Sequence, residues 1–218
     1  MKGQGIRRQI MLITMSCFVL SIILISFDLF KEKKDDSNNI KILESNIRNG
    51  YDDSLKYQVN TALSLIETLR KQYESEQLSE EEMKKKIAEV IRNLRYEKNG
   101  YFWVDSSDGT NIVLYGSEIE GTNRYDFQDI NGKYVVQEVI KKAKEGGGFT
   151  DYYFPREGET EPKPKRAYGI YYEKFDWIIG TGVYTDTIDD VIDTKTVEQN
   201  KARGEHLAKH LMIMSGIF

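Results

Sequence analysis

The sequence predicts an α+β fold in which long N-terminal helices precede a five-stranded antiparallel sheet, with a transmembrane helix at the N-terminus. Three observations support this prediction. Residues 10–27 contain no charged side chain. Apolar residues then recur at three- and four-residue steps as far as Leu94, which is the period of helices. Residues 99–186 consist of aromatic and β-branched runs separated by turn residues, which is typical of antiparallel strands and hairpins.

The composition allows one globular domain with attachments. The chain has 218 residues, of which 39% are hydrophobic and 30% charged, and its net charge is −4. That length provides enough apolar material for a core. The slight acidity gives no basic surface for nucleic acid. The single cysteine, Cys17, lies in the apolar N-terminal run, so the sequence predicts neither a disulfide framework nor thiolate chemistry.

The N-terminus has the features of a membrane anchor. Residues 1–8 are short and basic, and residues 9–30 supply roughly 20 apolar positions, enough to span ~30 Å of hydrocarbon as a helix. A cleaved signal peptide is the alternative, but it has an apolar core of about 7–15 residues and a small-residue cleavage site. The longer run without such a site favours an uncleaved transmembrane helix. A short tail before a large domain favours a cytoplasmic N-terminus.

Helices are predicted for residues 38–98. The apolar period runs from Ile40 to Leu69, with a possible interruption at Asn49–Gly50. Ser79 and Glu82 have the spacing of a capping box, in which each residue satisfies a backbone amide of the other, so a second helix is expected to open at Ser79.

Five strands follow in residues 99–186, with one helix and one long loop between them. Asp108–Gly109 is a strong hairpin signal, and residues 132–145 have the amphipathic pattern of a helix that ends at a triple glycine. The loop 116–131 has no apolar period, and loops of this length in compact domains are often functional. The predicted strands are Tyr101–Asp105, Asn111–Tyr115, Phe149–Pro155, Lys165–Phe175 and Trp177–Tyr184.

After Asp186 the pattern becomes helical again. Residues 187–210 are predicted to form a membrane-proximal helix. Residues 211–218 are too short to cross a bilayer, and we interpret them as the start of a second transmembrane helix in a chain that continues. The alternative is a hydrophobic tail on a complete short protein.

An ordered set of motifs resembles the single Cache domain of bacterial transmembrane receptors. The motifs are GYFWVDSSDGT, DINGKY, GGGFTDYYFP, PKPKRAY and WIIGTGVYTDTID, and the resemblance covers roughly residues 51–190. It implies a PAS-like extracytoplasmic sensor over residues 31–186. Relatives belong to chemotaxis receptors, histidine kinases and diguanylate cyclases, and often bind small organic acids. Tyr115–Gly116 stands where family members often carry His-Pro, and Phe175–Asp176 stands where they often carry a tryptophan.

A pocket for a carboxylate needs charge-assisted donors within aromatic walls. Side-chain alternation places Lys165 and Arg166 on opposite faces of a strand, and the family pattern favours Lys165 as the inward residue. Tyr101 and Trp103 share a face, so Phe102 and Val104 are expected in the core behind them. Each candidate could instead be a surface charge or ordinary core packing. The predicted ligand-binding residues are Lys165, Arg124, Tyr101, Trp103, Tyr115, Tyr152, Tyr168 and Asp126.

The predicted function is ligand sensing without catalysis. No nucleophile–base pair is recognisable, and both histidines, His206 and His210, lie outside the predicted domain. The resemblance implies a chemotaxis-receptor ectodomain in the cell membrane, and we expect no metal, cofactor or nucleic acid. Its predicted partners are a small carboxylate, the membrane and a second copy bound through the membrane-proximal helices. The alternatives are the sensor region of a histidine kinase or diguanylate cyclase, and a membrane-tethered binding protein without an output module.

Overall fold

The computed structural model describes the backbone of residues 2–215 and every side chain from residue 38 to residue 205, together with some side chains nearer the two ends. The chain divides into two compact units, residues 1–46 and 47–218. The elements in chain order are α1 (Lys2–Ser75), α2 (Glu80–Asn93), β1 (Arg95–Tyr96), β2 (Gly100–Ser106), β3 (Asn111–Leu114), α3 (Val135–Lys144), β4 (Gly148–Pro155), β5 (Pro162–Tyr172), a 3-10 turn (Glu173–Phe175), β6 (Trp177–Tyr184) and α4 (Thr185–Ser215).

Residues 1–46 contribute the first part of α1. The large apolar side chains described between Met11 and Phe30 are exposed. Within the described residues, no helix contains a stretch that is both long and apolar enough to cross a membrane. The transmembrane helix expected over residues 9–30 is therefore not confirmed, and many of its side chains lie outside the described set. Most side chains of residues 211–218, the expected start of a second transmembrane helix, also lie outside the described set.

The helices of the second unit follow the predicted pattern, with one difference. α1 continues through Asn49 and Gly50 without the interruption that these residues suggested. The capping box before α2 is confirmed. The Ser79 amide donates to Glu82 Oε2 at 3.1 Å, and the Glu82 amide donates to Ser79 Oγ at 3.4 Å.

The α+β class and the antiparallel sheet are confirmed, but the sheet has six strands and not five. The strand order is β1-β2-β6-β5-β4, with β3 also paired to β2. The additional strand, β1, is only two residues long and pairs with the start of β2. Such a short strand has no alternating pattern, so its pairing could not be read from the sequence.

The sheet separates two apolar clusters. α1 and α2 cover one face, where Phe102, Val104 and Ile179 are buried against Ile66 and Ile87. α3 covers the other face, and its apolar stripe packs on a second set of strand residues, namely Tyr101, Trp103, Ala167 and Ile178. Tyr101 and Trp103 therefore share one face of β2, as expected, and Phe102 and Val104 are buried on the other.

Arg166 connects the sheet to α1 within the second unit. Its guanidinium donates to both carboxylate oxygens of Asp52, at 2.6 and 2.8 Å, and also pairs with Asp151 on β4. A bidentate arginine–carboxylate pair fixes orientation as well as distance. Successive side chains of a strand point to opposite faces of the sheet, so Lys165 lies on the face of β5 opposite to the contact with α1.

Gly180 makes room for the indole of Trp103. The two residues are paired across β2 and β6, and a Cβ added at Gly180 would overlap the indole ring. We expect Gly180→Ala to lower the free energy of unfolding by about 1–3 kcal/mol, because overpacking forces a shift of the ring or strand. Denaturant unfolding of the full chain in detergent measures this. The matched control is Gly50→Ala, because a Cβ added at Gly50 in α1 contacts no other atom. This control is expected to raise the free energy of unfolding slightly. Equal stability of Gly180→Ala and the parent would contradict the prediction.

Candidate ligand-binding site

A small cavity lies between the sheet and α3. It leaves about 20 Å³ for the centre of a water molecule, which is room for about one water. Its walls combine apolar side chains with two cations and one carboxylate. The lining residues are Trp103, Asp105, Leu114, Arg124, Phe127, Val135, Val136, Val139, Tyr152, Phe154 and Lys165.

Lys165 is the central polar residue of the cavity. Its side chain is only 2% exposed, because β5 lies between β4 and β6, with Tyr152 and Tyr184 directly opposite on the two neighbouring strands. The Lys165 Nζ atom donates to the Tyr101 hydroxyl at 2.7 Å and lies 4.4 Å from the centre of that ring. Among the described residues, no carboxylate forms an ion pair with Lys165.

Arg124 reaches the same cavity from the long loop. Backbone hydrogen bonds return that loop to the β2–β3 hairpin, including one from the Arg124 amide to the Gly109 carbonyl at 2.8 Å. Arg124 Nη2 then donates to Asp105 Oδ1 at 2.7 Å, and Asn111 Nδ2 donates to the same oxygen at 2.8 Å. Asp105 on β2 thereby fixes the position of the guanidinium.

Two buried donors of the site have no hydrogen-bond partner among the described residues. They are Arg124 Nε and Trp103 Nε1. Buried polar atoms are nearly always paired, so these two donors are available to a ligand or a water molecule. Both belong to side chains that line the cavity.

The electrostatics of the cavity favour an anion. Burial, together with a smaller effect of the positive charge of Arg124, lowers the pKa of Lys165 to about 7. Burial also raises the pKa of Asp105, an effect that Arg124 opposes. When Lys165 is protonated and Asp105 is ionised, two cations and one carboxylate give a net charge of +1 within largely apolar walls. One added carboxylate would neutralise the site and accept hydrogen bonds from both cations.

The structure brings most of the predicted site residues together. Lys165, Arg124, Trp103 and Tyr152 line the cavity. Tyr101 lies beside it and accepts the hydrogen bond from Lys165. Tyr115 lies behind Tyr101, with the two ring centres 4.9 Å apart and nearly perpendicular.

Two predicted residues lie elsewhere. Tyr168 is three positions from Lys165 on β5, an odd spacing that turns it to the opposite face, where its ring packs on Phe149 at 5.0 Å. Asp126 is exposed, and its carboxylate accepts a hydrogen bond from Gln137 at 3.2 Å. Neither side chain lines the cavity.

Several residues of the site were not predicted. Asp105 is the most important of them, and its position two residues after Trp103 on the same strand was the available signal. Phe127 and Phe154 also contribute walls, with their ring centres 6.2 Å apart. The stripe of α3 was predicted as amphipathic, but its role as a cavity wall depends on the way that α3 crosses the sheet.

A larger open cleft of about 580 Å³ lies beyond Tyr101, near the ends of β1 and β6. Its wall includes Arg156, but that guanidinium is already paired with Asp186 at 2.6 Å. The smaller cavity contains a buried cation with no carboxylate partner among the described residues, together with two unpaired donors. We therefore assign the candidate site there.

Two solved structures are similar to this chain in fold and sequence. A chemotaxis-protein periplasmic sensor domain has 28% sequence identity and a TM-score of 0.58 over 61% of this chain and 93% of its own. A Cache chemosensory domain solved for its carboxylic acid recognition has 25% identity and a TM-score of 0.60, over 64% of this chain and 97% of its own.

The curated relatives are signalling proteins. The sensor histidine kinase MctS of Rhizobium johnstonii is 31% identical over 84% of this chain, and the chain spans 40% of that protein. The family described as Single Cache domain 2 matches residues 47–198, which include the whole sheet and the cavity. The chain therefore belongs to the single Cache domain 2 family of sensor domains.

Proposed function

We propose that this chain is the extracytoplasmic sensor region of a transmembrane receptor and that it binds a short organic acid between the sheet and α3. The observation that carries the proposal is the buried Lys165 amine, which shares a cavity with Arg124 and has no carboxylate partner in the described part of the chain. A buried charge of this kind is costly unless it is paired. A ligand carboxylate supplies that pairing.

The binding mode follows from the donors that remain available. One ligand oxygen accepts from Lys165 Nζ, and the other accepts from Arg124 Nε, which lacks a partner. The apolar part of the acid contacts Val139 and Phe154. Because the cavity has room for about one water, the acid is short, and its entry separates α3 from the sheet.

The effect of ligand binding would reach α1 and α4 through β5 and its neighbouring strands. Lys165 faces the ligand while Arg166, the next residue, holds Asp52 of α1 on the other face. Lys165 also lies opposite Tyr184, and α4 begins at the following residue. A displacement of β5 would therefore shift both helices that lead away from the domain. Such a shift requires that the acid bind one arrangement more tightly than the other.

A chemotaxis receptor is the proposed context, with the domain outside the cell and a homodimer formed through the membrane-proximal helices. The exposed apolar side chains described between Met11 and Phe30 suit contact with lipid. A sensor histidine kinase is the second candidate, because MctS matches 84% of this chain.

A panel of acids and isosteres tests the proposal. In detergent, the full chain is expected to melt at a higher temperature with acetate or propionate, and not with propionamide, which lacks the negative charge. At a concentration of 100 times Kd the added stability is about 2.7 kcal/mol. Isothermal titration calorimetry gives Kd directly. If no acid in the panel raises the melting temperature, or if propionamide raises it equally, the carboxylate proposal is wrong.

A further inference from the structure

The amine of Lys165 has an unusual environment for a lysine. Its Nζ atom lies within 5.6 Å of the centres of three aromatic rings, those of Tyr101, Phe154 and Tyr184. Among the described residues, its one hydrogen bond is to the Tyr101 hydroxyl, at 2.7 Å. A lysine that faces solvent or a carboxylate stays protonated, whereas this one is enclosed and faces a second cation, Arg124, across a small cavity.

These surroundings suit nucleophilic chemistry. Burial, with a further contribution from Arg124, lowers the pKa of Lys165 to about 7, so a large fraction of the amine is unprotonated at neutral pH. Lysines that are desolvated in apolar pockets or lie beside another cation form Schiff bases with carbonyl compounds. Burial raises the pKa of the adjacent Tyr101 hydroxyl, which therefore keeps its proton.

We propose that Lys165 captures 2-oxo acids covalently, as a protonated Schiff base whose carboxylate is held by Arg124. This proposal rests on the proposed function, since it uses the same cavity. Lys165 and Arg124 line the same small cavity, so one short ligand contacts both. A carboxylate on Arg124 therefore brings the neighbouring carbonyl carbon of a 2-oxo acid to Lys165 Nζ.

The reaction needs no oxidant or reductant. The lone pair of the neutral amine attacks the carbonyl carbon, a C–N bond forms, and the C=O π electrons move to oxygen. The Tyr101 hydroxyl, hydrogen-bonded to Nζ, relays a proton from nitrogen to that oxygen. The carbinolamine then takes up one proton and loses water, which leaves an iminium cation. In sum, one amine, one 2-oxo acid anion and one proton give one iminium carboxylate and one water.

The charges of the product and of the side chains around it sum to zero. Arg124 and the iminium each contribute +1, and Asp105 and the ligand carboxylate each contribute −1. Tyr101, Tyr152 and Tyr184 are neutral, because burial raises their pKa values. A non-covalent acid on protonated Lys165 gives the same total, so the covalent product adds no uncompensated buried charge.

Reductive trapping tests the proposal. The full chain in detergent is incubated with pyruvate and sodium cyanoborohydride at pH 7.5, and modified lysines are located by peptide mass spectrometry. We expect Lys165 to gain one carboxyethyl group at least ten times faster than Lys163, a partly exposed lysine on the same strand. Propionate in excess should slow the labelling of Lys165 and leave Lys163 unchanged. Acetone, which has the carbonyl without the carboxylate, should label Lys165 at least ten times more slowly than pyruvate.

The outcomes separate this proposal from the one on which it rests. If propionate raises the melting temperature but pyruvate leaves no adduct on Lys165, the site binds acids and the covalent step is wrong. Labelling of Lys165 and Lys163 at equal rates would also overturn it, and so would equal labelling by acetone and pyruvate. If Lys165 is trapped by pyruvate while propionate neither binds nor slows the labelling, the covalent step stands and general acid sensing does not.

Discussion

Lys165→Met is expected to weaken the binding of short carboxylates by at least about 100-fold. The substitution keeps an unbranched side chain of similar length and removes only the cationic end, so the ligand carboxylate loses its most buried partner. Removing one member of a buried ion pair costs about 3–5 kcal/mol, which is more than two decades in Kd. Calorimetric titration of propionate into parent and variant measures the loss.

The same variant is expected to fold. Lys165 is a buried amine without a carboxylate among the described residues, so replacing it with methionine removes a desolvation penalty. The melting temperature of the ligand-free variant at pH 6 should equal or exceed that of the parent. Lys163→Met, the same change two residues earlier on β5, removes a surface pair with Glu161 and should alter neither property. An unchanged Kd in Lys165→Met would rule out the assigned site.

The affinity for acids is expected to fall about tenfold for each pH unit above 7, and therefore about 100-fold between pH 6 and pH 9. The pKa of Lys165 is about 7 in the empty site, chiefly because of burial, and a bound carboxylate raises it. Binding above pH 7 must therefore take up close to one proton per acid. Calorimetry in two buffers with different ionisation enthalpies detects that proton. An affinity that stays constant from pH 6 to pH 9 would contradict this prediction.

Lys165 should also make the free energy of unfolding of the ligand-free domain depend on pH. The pKa of Lys165 is lowered in the folded state, from 10.5 to about 7. Between these values the unfolded chain binds the additional proton, so the free energy of unfolding rises with pH, by at most about 5 kcal/mol. Above pH 10 the buried tyrosines act in the opposite direction. Subtracting the profile of Lys165→Met isolates the contribution of Lys165.

Much of the fold could be predicted because its signals are local and periodic. The capping box at Ser79, the hairpin at Asp108–Gly109 and the alternation along β2 each specify structure within a few residues. The two-residue β1 and the uninterrupted helix through Asn49–Gly50 could not be predicted. The first is decided by pairing with the start of β2, which no local pattern reveals. The second reflects the small cost of a single glycine in a helix, about 1 kcal/mol, which does not by itself end the helix.

The site was predicted in part, for the same reason. Alternation placed Lys165 and Arg166 on opposite faces, and the family resemblance favoured Lys165 as the inward residue. The same alternation should have excluded Tyr168 and included Asp105. Arg124 and Asp126 lie two residues apart in a loop without a period, and one reaches the cavity while the other stays in solvent. Hydrogen bonds to the distant β2–β3 hairpin decide between them.

The side chains of this domain nearly fill its candidate site. On the proposed function, the acid concentration that gives a half-maximal response therefore depends on more than the contacts with the ligand. With room for about one water between Lys165 and α3, an incoming acid must spend part of its binding energy on parting the walls. Each 1.4 kcal/mol of that work raises the acid concentration at half-maximal response about tenfold. On the proposed function, substitutions among the valines of α3 would then retune sensitivity during evolution, while Lys165 and Arg124 stay the same.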